Sequence, residues 1–325
     1  MYRLTLLSKL KCLAVLSGLL CASAWAAYPE RTVTLVVPFT PGSGSDIIAR
    51  IIAPKLSERW KQAVVVDNKP GASGNIGADA VAKAAPDGHT LLMAINTITM
   101  APNMYKRVPF DPTTDFTPIM KMAVANFAIV VNPQIGAQDL AGVIALAKAK
   151  PGQINFGSPG NGTPHHLAME LMKQQLGFDM LHVPYKGISN ATTDLIGGQV
   201  TFLFVDLASS RPHVQSGRVR ALALSAEQKS ALAADLPTVA EQANLPGFDL
   251  AAWIGVVGPA GMPPAIVNKL SERLAAMLVR KDVAERLVGL GVEAHPSTAA
   301  ELDAYMKKQL EGWGRKVKDA GIQPE

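Results

Sequence analysis

Three glycine- and serine-rich loops are the segments of this 325-residue chain whose residue types best suit an anion. The first is Pro38-Phe39-Thr40-Pro41-Gly42-Ser43-Gly44-Ser45-Asp46, the second Lys69-Pro70-Gly71-Ala72-Ser73-Gly74-Asn75, and the third Gly157-Ser158-Pro159-Gly160-Asn161-Gly162-Thr163-Pro164. Glycine lets backbone N–H groups approach a bound group closely, and a helix that starts at such a loop adds partial positive charge. Serine and threonine hydroxyls supply further donors. Together the loops describe an anion site made mainly of backbone. Each loop alone also has a plainer reading as a tight turn closed by an N-cap, Ser45 or Asp46 in the first and Thr163 in the third.

Sharper chemistry is missing from these loops. Gly42-x-Gly44 continues to Ile47 where a dinucleotide fingerprint needs glycine, and no Gly-Lys-Ser/Thr follows any loop as a P-loop requires. The chain has no G-x-S-x-G elbow and no H-E-x-x-H. His165-His166 is the one histidine pair, but neighbours on a helix point in different directions and chelate poorly. Asp46, Glu170 and Asp206 are of a type to serve as acid and base, yet nothing in their setting demands a reaction. The expectation is a non-enzyme with no metal and no cofactor. No basic tract points to nucleic acid.

Alternating elements must position the loops. Thr32–Pro38, Ala63–Val66 and His89–Ile95 read as strands, with an amphipathic helix over Asp46–Trp60 and another over Asn75–Ala85. Ile154–Gly157, Met180–Val183, Val200–Phe204 and Val219–Leu224 repeat the strand pattern, with helices from about Pro164, Ser189 and Leu207. Continuous apolar runs each followed by a helix are what a buried parallel sheet needs, so the fold class is α/β. The C-terminus carries helical patterns at Pro264–Val279, Val283–Leu290 and Ala299–Lys318. Phe127–Pro133 and Trp253–Pro259 look like crossings between two lobes, which places one lobe at 27–126 plus 257–325 and the other at 127–256.

The N-terminus carries Arg3, Lys9 and Lys11, an apolar stretch Cys12–Leu20, and small residues ending Ala24-Trp25-Ala26. This is the n-region, h-region and A-x-A pattern of a secretory signal peptide, expected to be removed as residues 1–26. The apolar core is too short to span a bilayer, and no later segment approaches ~18 uninterrupted apolar residues. Leu20 before Cys21 is larger than lipidation usually needs, so a soluble exported protein is expected. Both cysteines lie in the removed part, so the mature chain must hold together by its core alone. Its length allows two lobes of roughly 150 residues each. Three of the charges behind the net +5 lie in the leader, so the basic balance says little about partners.

At this point a longer match emerges. Val37-Pro38-Phe39-x-Pro41-Gly42…Asp46-x-x-Ala49-Arg50, Val66-Asp67-Asn68-Lys69-Pro70-Gly71-Ala72-Ser73-Gly74-x-x-Gly77 and Ala85-Pro86-Asp87-Gly88-His89-Thr90-Leu91-Leu92 follow one another in order. Ser158-x-Gly160-x-Gly162-Thr163-x-His165-His166-Leu167, His182-Val183-Pro184-Tyr185-Lys186-Gly187, Gly217-Arg218-Val219-Arg220-Ala221-Leu222-Ala223 and Gly258-Pro259-Ala260-Gly261-Met262-Pro263 continue the series. This order resembles the Bug-type periplasmic receptors of tripartite tricarboxylate transporters, over essentially the whole mature chain.

The resemblance implies a type II periplasmic-binding-protein fold, two Rossmann-like lobes with a ligand cleft between them. It implies a small organic carboxylate held by backbone amides, hydroxyls and ordered water, then handed to membrane transporter subunits by a periplasmic monomer. Carried onto this sequence, the first-lobe contacts fall on Ser43, Gly44, Ser45, Asp46, Ser73 and Asn96, and the second-lobe contacts on Ser158, Gly160, Gly162, Thr163, Tyr185, Lys186 and Asp206. Gly42-Ser43 departs from the Gly-Gly of many relatives, adding a hydroxyl and restricting the backbone. A ligand sensor for a signalling protein, or an enzyme on the same two-lobe architecture, stands as the alternative.

Overall fold

β1 (Val33–Val37) is apolar at every position but Thr34 because it is covered on both sides. Val33, Leu35 and Val37 pack with Ile48, Ile52 and Leu56 of α1 (Gly44–Trp60), while Val36 packs the other way against Ala78 and Val81 of a later helix. A strand buried on both faces has no alternation to show, which is why it reads as a near-continuous run. The computed structural model describes residues 28–226, 229–246, 248, 250–319 and 323–324. The leader assigned to 1–26, with Cys12 and Cys21, lies outside the described residues.

The chain continues through β2 (Val64–Asn68), α2 (Asn75–Ala82), β3 (Thr90–Ile95), α3 (Thr97–Met104) and β4 (Phe116–Ala125). It then enters a second sheet through β5 (Phe127–Val131), α4 (Leu140–Ala149), β6 (Asn155–Ser158), α5 (Pro164–Leu176), β7 (Leu181–Pro184), α6 (Ile188–Ile196), β8 (Phe202–Asp206), α7 (Leu207–Gln215), β9 (Arg220–Leu224) and α8 (Val239–Ala243). It returns through β10 (Ala252–Pro259), α9 (Pro264–Leu278), α10 (Lys281–Gly289), β11 (Val292–Ala294) and α11 (Ala299–Asp319).

The first sheet has the order β11-β4-β10-β3-β1-β2 and the second β7-β6-β8-β5-β9. β1 pairs in parallel with β2 and β3, and β6 in parallel with β7 and β8. The crossing strands break the parallel pattern: β10 runs antiparallel to β3 and β4, and β5 antiparallel to β8 and β9. Two lobes of mixed α/β structure result. β10 is registered with β4 from Ala252↔Ala125 to Pro259↔Phe116. Residues 252–256, placed with the second lobe from the sequence, therefore belong to the first sheet. The apolar run that became β10 carries no local mark of where it joins its ladder.

Three strand ends matter for function. β1 leads into the first glycine-rich loop and α1, β6 into the third loop and α5, and β8 directly into α7. In open α/β sheets the carboxyl ends of the strands are where ligands bind.

Candidate functional site

The first loop is braced from beneath by a carboxylate. Gly42 adopts φ +83, a left-handed turn that glycine takes without penalty, and its N–H donates to Asp46 Oδ2 at 2.9 Å. Arg50 Nε donates to both Asp46 oxygens at 3.0 Å, and Asn68 Nδ2 donates to Oδ1 at 2.9 Å. Burial pushes the Asp46 carboxyl up, but the bonds from Arg50, Gly42 and Asn68 outweigh it and hold it below the usual carboxylate range. Asp46, read from the sequence as a ligand contact, is thus fully engaged in holding the loop's shape. The N-cap is Ser43, whose Oγ accepts from Asp46 N at 3.4 Å, rather than Ser45 or Asp46.

The third loop is braced by histidine. Ser158 Oγ lies 2.7 Å from His182 Nε2 and accepts from Gly160 N at 3.2 Å, and Gly162 N donates to His166 Nδ1 at 3.3 Å. The His166 and His182 rings stack 4.2 Å apart, with Phe156 stacked on His182 at 4.7 Å. Thr163 caps α5, accepting from His166 N at 3.4 Å and donating to Gly160 O at 2.8 Å. Its one donor hydrogen is thus spent inside the loop, and it accepts there once. Thr163→Val is therefore expected to cost about 1 kcal/mol of stability, the value of a lost cap. Urea denaturation measures it, and an unchanged midpoint would show that the cap contributes nothing.

The two loops face each other across a cavity of about 20 Å³. Ser43, Gly44 and Ser45 form its first-lobe wall, His165 and Asp206 supply polar groups from the second lobe, and Phe39, Ile95 and Ile188 contribute apolar surface. Among the described residues no lysine or arginine lines it. Asp206 occupies the N-cap position of α7 without a side-chain capping bond. Its carboxylate instead takes a hydrogen bond from the Gly44 N–H across the cleft. Burial pushes this carboxyl up to about 6, partly offset by that bond and by its own backbone N–H.

His165 is 4% exposed, and among the described residues neither ring nitrogen has a hydrogen-bond partner. Its ring lies on Phe127 with centroids 4.4 Å apart, and burial pushes its pKa down to about 3, so it is neutral. Among the described residues no group of three or more His, Cys, Asp or Glu is arranged to hold a metal ion.

Other expected contacts are placed elsewhere. Asn96 is 1% exposed, donating to Ala251 O at 3.1 Å and accepting from Trp253 N at 2.9 Å, so both ends of its amide clamp the return crossing. Tyr185 turns its hydroxyl to Asp194 at 2.8 Å within its own lobe, and Lys186 is exposed. Ser73 donates across the cleft to the Asn161 carbonyl, which also accepts from the Tyr105 hydroxyl at 2.7 Å. Ser189 Oγ donates to Pro41 O at 2.7 Å on the other flank. Gly160 and Gly162, at φ +133 and +71, stand at these junctions, where added Cβ atoms would meet Ser73 Oγ at 2.9 Å and Met104 Cβ at 3.0 Å. Tyr105 and Asn161 carried no signal in the sequence, since their roles exist only once the lobes touch.

Comparison with known proteins decides the family. Residues 48–322 match the model of the tripartite tricarboxylate transporter family receptor. The chain belongs to this family. Protein BugT of Bordetella pertussis is 32% identical over 296 residues, covering 90% of each chain. Among solved structures, the periplasmic binding protein BugD superposes with a TM-score of 0.88 at 32% identity, over 92% of this chain and 100% of that one. An R. palustris protein with adipate gives 0.88 at 34% identity, over 92% and 100%. MatC from Rhodopseudomonas palustris with bound malate gives 0.84 at 30%, over 89% and 100%. This receptor shares their periplasmic-binding-protein fold. Among the described residues no helix is long and apolar enough to cross a membrane.

Proposed function

We propose that this receptor works in the periplasm, where it captures a small organic carboxylate between its lobes and delivers it to membrane transporter subunits. The lobes of the proposal are 27–126 with 252–325, and 127–251, hinged at Asn126 and at the Ala251 crossing clamped by Asn96. The observation that carries the reading is the meeting of the α1 N-terminus with the second lobe in a cavity that, among the described residues, no cationic side chain lines. An anion there is held by amides, hydroxyls and the positive end of α1. The proposed set facing it is Ser43, Gly44, Ser45, His165 and Asp206, with Ser73, Ser158, Gly160, Gly162 and Thr163 shaping its rim.

A cavity of about 20 Å³ has room for roughly one water, so a carboxylic acid enters only when the lobes part. Closure then follows from contacts that the ligand makes to both lobes at once.

A thermal-shift screen across mono-, di- and tricarboxylates, acidic amino acids and aromatic acids tests the reading. At a hundredfold excess over Kd a bound acid stabilises the protein by about 2.7 kcal/mol, a shift of several degrees. The acids are expected to come back chemically unaltered. Failure of every acid to raise Tm, or steady conversion of one of them, would overturn it. Mass spectrometry of the exported protein is expected to find an N-terminus near Ala27 without lipid.

A further inference from the structure

Asp206 and His165 are two buried polar groups facing one small space: Asp206 accepts only from the Gly44 N–H and its own backbone N–H, and His165 has no hydrogen-bond partner among the described residues. Asp206 is a carboxylate at the mouth of the α1 N-terminus, and a Cβ built on Gly44 would lie 2.9 Å from its Cγ and Oδ1. Any ligand carboxylate held by the same α1 amides lies within hydrogen-bond reach of Asp206. Two carboxylates so placed repel and are stable only if a proton, or a donor hydrogen, lies between them.

Among the described residues lining the cavity no cation pairs with Asp206, and the donors near it are the Gly44 N–H, its own backbone N–H, the Ser43 and Ser45 hydroxyls and the one N–H of a neutral His165. From α1, Asp46 is turned away to Arg50 and Asn68. From α5, His165 is neutral. On α7 itself, Arg211 donates to the Leu232 carbonyl, and His213 is held below its ordinary range by burial and Arg218. The β5 partner of Asp206 is Phe127, and the β10 side chains at the cavity are Ala252 and Ile254. A hydrogen carried by the ligand would answer Asp206 and leave these hydroxyls and amides to the ligand carboxylate.

We propose that the receptor selects carboxylic acids carrying a hydrogen-bond donor on the carbon next to the carboxylate, a 2-hydroxyl or a 2-ammonium, and that Asp206 reads that donor. Such a donor stands beside the carboxylate at the length of one hydrogen bond, so it meets Asp206 when the carboxylate meets Ser43, Gly44 and Ser45. His165 completes the pocket: a neutral imidazole keeps one N–H and one acceptor nitrogen, which suits a carboxylate oxygen or the hydroxyl itself. The selection rests on the cleft being the carboxylate site.

An acid without the donor must bring a proton from solution. The free Asp206 carboxyl, already pushed up to about 6 by burial, rises further beside a second anion. Affinity for such an acid is then flat below about pH 6 and falls as pH rises above it. With a donor-bearing acid Asp206 stays ionised in the complex, and this loss is absent.

Isothermal titration of matched acids tests the proposal: propionate, lactate and alanine as one set, succinate, malate and aspartate as another, extended to the 2-substituted and unsubstituted forms of any acid found in the screen. At pH 8 the donor-bearing member is expected to bind at least about tenfold more tightly, the worth of one hydrogen bond to a charged group. The hydroxyl and ammonium arms identify which donor is used. Plain acids are expected to weaken from pH 6 to pH 8, with proton uptake visible as a buffer-dependent heat. Asp206→Ala is expected to bring each set within about threefold, and should that variant fail to fold, the wild-type ranking and pH profile decide. Plain acids that bind as tightly as their partners at pH 8, or an Asp206→Ala variant that keeps the ranking, overturn the proposal. Absence of binding by every carboxylate would instead overturn the receptor reading beneath it.

Discussion

Gly44→Val is expected to weaken carboxylate binding by more than about a hundredfold while leaving the fold intact. Gly44 opens α1 and its backbone is not in the left-handed region, so the substitution is not strained by φ. Space is what it lacks. A Cβ there would lie 2.9 Å from Asp206 Cγ and Oδ1 and 3.2 Å from Asp206 Cβ, across the line where the lobes meet. Valine's branches extend further into the same gap, so the lobes stop short of closure. The Gly44 N–H then cannot reach the second lobe, and a ligand spanning the cleft loses bonds on one side. Each hydrogen bond to a charged group contributes roughly 1.5–3 kcal/mol, and 1.4 kcal/mol is tenfold in Kd, so two lost bonds exceed a hundredfold.

Calorimetry gives the affinity, and circular dichroism with Tm confirms that each lobe still folds. Because the overlap is with one residue, Gly44→Ala and Asp206→Ala are expected to be non-additive, the second relieving part of the first's effect on closure. Small-angle scattering with saturating ligand reads that closure directly. A Gly44→Val protein that binds normally would mean that the α1 N-terminus is not part of the site.

What the sequence could and could not disclose follows from the range of each interaction. β1, β3 and β8 announce themselves because a doubly covered strand is apolar over most of its length, and each is followed by a helix of its own. β4 does not, since Pro118 and Lys121 interrupt its run and its ladder partner β10 lies more than a hundred residues on. The glycine-rich loops are legible for a local reason, as only glycine suits Gly42, Gly160 and Gly162 at positive φ. The direction of a polar side chain is not local. Asp46 is the type and place for a ligand contact, yet Asn68, 22 residues further, and Arg50 claim its carboxylate. Asn96 is claimed by a crossing more than 150 residues away. His165 and His166 are chain neighbours, and the fold sends one ring into the cleft and the other behind the loop. Residue type thus located the loops, and long-range packing chose which of their side chains face inward.

That distinction between local and interlobe roles can be measured at Gly162. Gly162 has φ +71 and Gly136 has φ +82, so alanine at either site takes a left-handed conformation that costs an L-residue roughly 1–2 kcal/mol. Among the described residues, nothing beyond its chain neighbours lies within 4 Å of a Cβ added at Gly136. At Gly162 the Cβ would meet Met104 Cβ at 3.0 Å and the Tyr105 ring at 3.2 Å, both on the first lobe. Met104 Cβ is fixed to the end of α3 and cannot swing aside as a side-chain tip would. The two variants are therefore expected to lose similar stability in urea but to differ in binding. Gly136→Ala should keep the affinity of the parent once corrected for unfolded protein. Gly162→Ala should lose about tenfold or more, because the hydrogen bonds from Ser73 and Tyr105 to Asn161, one residue away, depend on the same approach of the lobes. Equal affinities in the two variants would show that the third loop acts only through its own backbone and that the closed junction at Met104 plays no part in holding the ligand.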